Sequence, residues 1–200
     1  EFDALLHATG RRANTENLGL ENTDIRVNER GFIEVDDYCQ TNVENVFAVG
    51  DVNGGLQFTY VSLDDFRVVN GYLHGNKDYT RANRKNVPYS TFISPVLSHV
   101  GLHQAEAEEN YSNVAVASLP VANMPRGAVN QDQRGIYKVI VDKDTNLILG
   151  ATLFGKNSEE IINIIKMAID NKIPYTYLKD QIFTHPTMAE NLNDVFKLIK

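Results

Sequence analysis

Hydrophobic positions in the first half of the chain form short unbroken runs, each closed by a glycine. One run covers residues 3–9, and another covers residues 45–52 and closes with Gly50 and Asp51. Both runs predict strands, and the continuous run 45–52 predicts a strand that is buried on both faces of a sheet. Between them, a turn at Gly31 is followed by alternating apolar residues, which predicts a hairpin or an edge strand.

A helical pattern begins after the glycine pair Gly54-Gly55. Four apolar residues recur there at helical spacings: Val61, Phe66, Val69 and Leu73. The polar and charged stretch 75–87 then contains few apolar residues, which is typical of a boundary between domains. We therefore predict one domain over residues 1–84 and a second over residues 85–200.

The second domain combines strand patterns with helices. Residues 90–102 are rich in strand formers, and Pro95 within them indicates an edge strand or a bend. Residues 103–111 predict a short helix. Residues 135–155 predict an antiparallel hairpin around the turn 143–146.

An amphipathic helix is predicted over residues 158–171. Asn157 or Ser158 is its candidate cap, and acidic residues occupy its first turn. Its apolar stripe consists of Ile161, Ile162, Ile165 and Ile169. Strands, a helix across them and a final helix indicate an α+β domain with an antiparallel sheet and flanking helices.

The composition and charge of the chain argue against some classes of function. The chain of 200 residues has a formal net charge of −7, which argues against nucleic acid as the main partner, since a phosphate-binding face needs clustered Lys and Arg. The one basic cluster, Arg81, Arg84 and Lys85, is predicted to be a solvated linker. No apolar run approaches the ~18–20 residues of a membrane span. The single cysteine, Cys39, excludes an internal disulfide, so we predict a structural role for it and a cytoplasmic location.

Two short motifs in the first domain could carry chemistry. Asp51 would stand at the carboxyl edge of a sheet, where α/β proteins bind ligands, and could accept hydrogen bonds from a polyol or a ribose. Gly50 permits close approach of the backbone to a ligand. Residues 8–14 place a glycine before Arg11 and Arg12, which could meet a phosphate or a carboxylate. Taken alone, each motif is weak evidence for a ligand site, and an ordinary turn is the simpler interpretation.

The C-terminal stretch FTHPTMAENLNDV, residues 183–195, supports two interpretations. Thr187 and Glu190 have the S/T-x-x-E spacing of a capping box that begins a helix. Alternatively, the Glu190 carboxylate orients the imidazole of His185, which then serves as a general acid–base near neutral pH. A capping role for Thr187 can coexist with the second interpretation. Pro186 is a candidate for a cis peptide bond.

The order of these motifs resembles the second half of the flavin-dependent pyridine nucleotide–disulfide oxidoreductases, which include glutathione reductase, dihydrolipoamide dehydrogenase and mercuric reductase. The motifs are ATGRRAN at 8–14, TNVENVFAVGDV at 41–52 and HPTMAE at 185–190. Residues 92–107, 135–155 and 158–171 resemble the dimerisation domain of that family. The stretch GGLQFTYVSLDDFR at 54–67 resembles its RclA-like, mercuric reductase-like branch.

The resemblance implies an α/β, Rossmann-like FAD-binding fragment followed by an α+β dimerisation domain. It implies that Gly50 and Asp51 hold the ribitol of FAD, and that NAD(P)H is the co-substrate. The backbone amides around Phe58, Thr59 and Tyr60 match the helix start that faces the pyrimidine edge of the flavin in this family.

The resemblance also assigns roles within a homodimer formed through residues 85–200. In the family, the histidine that matches His185 reaches across the dimer to the thiol and flavin of the partner, held by the match of Glu190. The RclA-like branch implies a hypohalous or hypothiocyanous oxidant, or a metal ion such as Cu(II), as electron acceptor.

Several motifs of the family have no counterpart in this sequence. Neither GxGxxG nor CxxxxC occurs, and the chain opens directly on a predicted strand. We therefore expect a segment that lacks the N-terminal half of the protein and is inactive alone. The alternative is a non-catalytic dimerisation module in which residues 187–190 are only a capping box. A metal site at His99 and His103 is disfavoured, since no third ligand is close in the sequence.

Overall fold

The computed structural model describes residues 2–200, which divide between Arg84 and Lys85 into two compact units. The regular elements of the first unit are three short 3-10 turns and one long helix. The turns are Leu20–Asn22, Gly50–Asn53 and Arg81–Asn83, and the helix, α1, is Thr59–Leu73. The helix predicted after the glycine pair is thereby confirmed.

The two predicted strands of the first unit do not form. Residues 3–9 have no regular structure and are exposed, and within 45–52 only Phe47 makes a bridge, with Gln40. A strand requires neighbours that complete its ladder of hydrogen bonds, and no described residues of this unit lie alongside these segments as a sheet. The hairpin predicted around Gly31 forms in a reduced version: Val27 and Ile33 pair across a tight turn as an isolated bridge.

The buried face of α1 differs from the predicted stripe. Its buried residues are Val61, Asp65 and Val68, which lie at i, i+4 and i+7 and therefore on one face. Phe66 and Leu73 are exposed. Phe66 follows Asp65 directly and so points about 100° away from the buried face. Asp65, and not the predicted Phe66, therefore lies on the buried face of the helix.

The second unit is built on one five-stranded antiparallel sheet. Its strands are β1 Tyr89–Thr91, β2 Leu97–Gly101, β3 Val114–Pro120, β4 Ile136–Asp142 and β5 Leu147–Phe154, in the order β1-β2-β5-β4-β3. The predicted hairpin is β4–β5, with Val139 opposite Ala151. The predicted bend at Pro95 joins β1 to β2 and contains a cis Ser94–Pro95 bond. The edge strand β3 was not predicted, since its alanines and serine have little strand propensity.

Helices cover this sheet and complete its core. They are α2 Gln104–Asn110, α3 Pro125–Val129, α4 Ser158–Asp170, α5 Tyr175–Asp180 and α6 Asn191–Lys197. The predicted helix α4 buries Ile161, Ile162, Ile165 and Ala168, while Ile169 is only partly buried. Asn157 occupies the N-cap position, as one of the two predicted candidates, but its side chain makes no capping bond. The Ser158 hydroxyl donates to the carbonyl of Val96 at 2.8 Å. No helix in residues 2–200 is both long and apolar enough to cross a membrane.

Candidate functional site

The C-terminal loop brings His185 and Glu190 together. His185 Nδ1 lies 2.9 Å from Glu190 Oε2. The other carboxylate oxygen, Oε1, accepts a hydrogen bond from the amide of Thr187 at 3.2 Å, and the Thr187 hydroxyl accepts one from the amide of Glu190 at 3.2 Å. The contacts that both interpretations require are therefore present together. The reciprocal bonds expected of a capping box form between Thr187 and Glu190, but α6 begins at Asn191 with Glu190 as its N-cap residue, so these bonds lie in the turn before the helix.

Core packing fixes the base of this loop while the imidazole remains exposed. Met188 and Leu192 are buried, and the side chain of Asn191 donates to the carbonyls of Thr187 and Met188. The His185 side chain is 71% exposed, whereas that of Glu190 is 15% exposed. The His185–Pro186 peptide bond is cis.

This geometry supports acid–base chemistry at one atom. With the Nδ1 proton directed at Glu190, Nε2 presents its lone pair to solvent and can accept a proton. The adjacent carboxylate stabilises the positive charge that the ring then carries. Among residues 2–200, nothing occupies Nε2 of His185.

In the first unit, a tight turn carries Gly50 and Asp51. Gly50 is buried with φ +75°, and a Cβ at this position would lie 2.8 Å from the hydroxyl of Ser62. Both the conformation and the contact therefore require glycine. Asp51 is 53% exposed and pairs at 3.6 Å with Arg11, so its carboxylate remains accessible to a hydroxyl-bearing ligand.

The start of α1 offers backbone donors. Phe58 is the N-cap residue, and its own amide donates to the carbonyl of Leu56 at 3.0 Å. The structure gives the amides of Thr59 and Tyr60 no acceptor within residues 2–200. A helix start with such donors favours a negatively charged or electron-rich ligand group. Of the three predicted residues, Thr59 and Tyr60 thus have amides that could donate to a ligand, whereas the amide of Phe58 already donates to Leu56.

Sequence reasoning missed a buried charge network behind this turn. Asp65 is 1% exposed, and its two oxygens accept from Gly50, Asn53 and Arg84. Arg84 also donates to Asp64 at 2.7 Å. The prediction that Arg84 belongs to a solvated linker is therefore wrong, since its side chain is only 12% exposed. The sequence did contain a signal for this network: Asp65 follows Val61 by four residues, which places an acid on the buried face of the helix.

The electrostatics of Asp65 follow from its partners. Burial raises the pKa of Asp65, but hydrogen bonds from Gly50, Arg84 and Asn53 more than offset it, so the pKa lies below its usual value. Burial, with the nearby charge of Asp65, raises the pKa of the Cys39 thiol to about 12. Cys39 is thus a neutral, buried thiol, as expected for a structural residue.

His99 and His103 stack against each other rather than converge on an ion. Their ring centroids are 3.8 Å apart, and the ring nitrogens of His99 lie 2.9 Å from the Thr152 hydroxyl and 3.0 Å from the Gly101 carbonyl. Burial lowers the pKa of His99, which favours the neutral ring. No cluster of three or more metal-binding side chains occurs in the part of the chain that the structure describes.

Comparison with known families covers both units. The family model described as pyridine nucleotide-disulphide oxidoreductase, dimerisation domain, matches residues 87–196. The model described as pyridine nucleotide-disulphide oxidoreductase matches residues 1–65.

Individual relatives agree with this assignment. The chain is 52% identical over 198 residues to the probable pyridine nucleotide-disulfide oxidoreductase RclA of Escherichia coli, covering 99% of this chain and 45% of that protein. It is 33% identical to a mercuric reductase of Staphylococcus aureus, covering 96% of this chain and 35% of that protein. The chain thus spans less than half the length of these relatives.

Solved structures show the same relationship. The structure of the HOCl-induced flavoprotein disulfide reductase RclA from Escherichia coli matches with a TM-score of 0.96 and 51% identity, over 99% of this chain and 46% of that one. The same protein has been solved as a Cu(II) complex. The fold class and the resemblance predicted from the sequence are therefore confirmed, and the chain belongs to the pyridine nucleotide-disulphide oxidoreductase family as a segment similar to RclA.

Proposed function

We propose that this chain is the C-terminal half of an NAD(P)H-dependent flavoprotein disulfide reductase. In this proposal it supplies part of the FAD site, the dimer interface and an acid–base pair, His185–Glu190, that acts in the active site of the partner subunit. The observation that carries the proposal is the exposed imidazole held at 2.9 Å by a carboxylate that is itself fixed by the loop.

The residues of the first unit fit FAD. The Gly50 turn allows backbone approach, the Asp51 carboxylate is accessible to a polyol hydroxyl, and Thr59 and Tyr60 present amide donors at a helix start. When bound, FAD would supply transfer of electrons from NAD(P)H to a redox disulfide. Negative charge on a reduced flavin would be stabilised by the positive end of α1.

His185 would accept and later donate the proton that a reacting thiol releases. When a thiol of the partner subunit attacks an oxidised substrate, the S–H proton passes to Nε2 of His185. Glu190 stabilises the resulting imidazolium. With a hypohalous acid, a sulfur–halogen bond forms as the halogen–oxygen bond breaks, and the proton on Nε2 passes to the departing hydroxide, which leaves as water. The second thiol of the reduced disulfide pair would then displace halide, so that the disulfide re-forms and the two electrons of the dithiol have passed to the oxidant. The pair thus binds and releases one proton per cycle and is restored.

A homodimer through residues 85–200 is supported by the matching dimerisation-domain model and by exposed apolar side chains of the second unit. These include Phe92, Ile93, Met167, Tyr177 and Ile182. Ile182 is 99% exposed and lies three residues before His185. An isolated subunit would leave these apolar side chains in water, so burial against a second copy is favourable.

The acceptor we propose is a small oxidant of the hypohalous or hypothiocyanous class, or a metal ion such as Cu(II). Support comes from the similar protein of Escherichia coli, described as HOCl-induced and solved with Cu(II). A cytoplasmic location stays a prediction that rests on the single cysteine.

Half-reaction kinetics of the full-length protein test the proposal. His185→Ala should slow reoxidation by the acceptor about 10²–10⁴-fold while flavin reduction by NAD(P)H stays within about twofold. His74→Ala is the matched control, since His74 is an exposed histidine near a helix end. Equal rates for His185→Ala and wild type in both half-reactions would contradict the assigned role.

The capping box bonds favour a second candidate, a dimerisation module without catalytic function. This alternative predicts that the chain forms a stable dimer without bound flavin, in which residues 187–190 serve only as a capping box. Sedimentation together with the flavin absorbance spectrum distinguishes the two.

A further inference from the structure

Asp65 links the two segments of the first unit that carry the proposed FAD contacts. It lies on α1, six residues after Thr59, and its Oδ2 accepts from the amide of Gly50 at 2.8 Å. The same oxygen accepts from the side chain of Asn53 at 2.8 Å. One carboxylate oxygen therefore accepts hydrogen bonds from the first and the last residue of the turn Gly50–Asn53. Asp51 lies between these two residues.

A steric contact positions the turn from the same helix. Ser62, one turn before Asp65 on α1, fills the space where a side chain at Gly50 would project. The turn is thus held from two directions by residues three positions apart on one helix. Any shift of α1 moves the Gly50 turn together with the amides of Thr59 and Tyr60.

The charge of Asp65 is matched within the network. Its Oδ1 accepts from Arg84 Nη2 at 2.6 Å, while Arg84 Nε donates to Asp64 at 2.7 Å. Arg81 reaches the other end of Asn53, at 3.3 Å from Oδ1. A buried carboxylate without such partners would be protonated or would destabilise the fold. With them, Asp65 remains an acceptor for three donors at once.

We infer that Asp65 is a positioning residue for FAD: it locks the Gly50–Asn53 turn to the start of α1 so that both meet the cofactor in a fixed geometry. This inference rests on the proposed function. Asp65 itself touches neither solvent nor ligand, since it is 1% exposed, and it acts through Gly50 and Asn53.

The substitution Asp65→Asn separates this role from general packing. A carboxamide keeps the shape but offers one oxygen and one NH₂ group, so at least one of the donors Gly50, Asn53 and Arg84 must face another donor. Asp64→Asn is the matched control: it changes the neighbouring residue and a bond to the same arginine but leaves both bonds to the turn intact. Asn53→Ala removes one anchor of the turn without disturbing the Asp65–Arg84 pair.

The test measures FAD dissociation constants and flavin midpoint potentials of the full-length variants. We expect Asp65→Asn to raise the FAD dissociation constant about tenfold or more and to shift the midpoint potential and visible band of the bound flavin. Asn53→Ala should raise the constant about threefold or more. Asp64→Asn should match the wild type in all three measurements.

The results can contradict the positioning role of Asp65 without contradicting the proposed function, and the reverse. If Asp65→Asn and Asn53→Ala bind FAD with wild-type affinity and potential while Asp51→Ala weakens binding, the positioning role is wrong and the proposed function stands. If Asp64→Asn reproduces the losses of Asp65→Asn, the network is only structural and the inference is also overturned. Should Asp65→Asn fail to fold, the affinity of Asn53→Ala decides. A wild-type protein that holds no FAD would instead overturn the proposed function.

Discussion

Glu190 contacts His185 with one carboxylate oxygen and the backbone of the same loop with the other. The 2.9 Å contact to Nδ1 and the 3.2 Å bond from the Thr187 amide share a single side chain. The orientation of the imidazole is therefore coupled to the turn that precedes the last helix. A change at Glu190 should affect chemistry and local stability together.

Glu190→Gln tests the charge of this residue. The amide oxygen can still accept from Thr187 or from His185, but the negative charge that stabilises the imidazolium is lost. We expect reoxidation by the acceptor to slow about tenfold or more, while flavin reduction is unaffected. Stopped-flow absorbance of the flavin in the full-length protein measures both steps.

Glu160→Gln is the control for this experiment, because it neutralises an exposed carboxylate in the first turn of α4. A reoxidation rate for Glu190→Gln that equals the rate of this control would argue against a catalytic role for the charge.

Gly50→Ala tests the backbone of the turn. The substitution places a methyl group 2.8 Å from the Ser62 hydroxyl and imposes φ +75° on a residue with a Cβ. We expect the free energy of unfolding to fall by about 1–3 kcal/mol. Urea unfolding monitored by circular dichroism measures this change.

The double variant Gly50→Ala/Ser62→Gly assigns the loss to its two causes. It removes the steric contact but keeps the unfavourable φ. Because glycine within α1 is itself destabilising, the reference is Ser62→Gly alone, and relative to it Gly50→Ala should still cost part of the stability that it costs in the wild type. A double variant as stable as Ser62→Gly would show that the backbone conformation contributes nothing.

Acid stability should depend on Asp65. Its folded-state pKa lies below the ordinary value of 3.8, so the unfolded state binds the proton more readily. The resulting stabilisation is fully present above pH 3.8 and is lost as the pH falls through the lower folded value. Urea midpoints measured between pH 7 and pH 2 should therefore decline less steeply for Asp65→Asn than for wild type. Parallel pH profiles would mean that this carboxylate does not control acid unfolding.

Cys39 should be unreactive in the native protein. Because burial raises its pKa to about 12, it stays a thiol at pH 8 and cannot attack an alkylating reagent. Mass spectrometry after iodoacetamide treatment should find this cysteine unmodified in buffer and modified in urea. The raised pKa also predicts stability that is complete below pH 9 and declines as the pH rises toward 12. Rapid native alkylation of Cys39 would contradict its buried, neutral state.

Features specified by neighbouring residues could be predicted from the sequence. The hairpin β4–β5 combines alternating patterns with a local turn, and helix α4 has its stripe within three turns of chain. The contact between His185 and Glu190 spans five residues and follows from local spacing. In each case the interacting residues are close in sequence, so the local sequence pattern is enough to predict the interaction.

Features that depend on distant partners could not be predicted. Whether residues 45–52 form a strand depends on neighbours far away in sequence, and the apolar pattern alone cannot supply them. The bond from Gly50 to Asp65 spans fifteen residues and places an acid on the buried face of α1. Hydrophobic periodicity assigns acids to the surface, so it missed Asp65, and it missed Arg84 for the same reason.

The exposure of the His185 ring has a consequence for how activity would scale with concentration. If its Nε2 serves a thiol on a second copy, a single subunit has no complete catalytic centre, however well it is folded. Dilution below the dimer dissociation constant would then abolish turnover before any loss of structure. For the same reason, mixing a His185→Ala subunit with one that carries a defective FAD site should restore one working centre per mixed dimer, a complementation that neither parent homodimer can achieve.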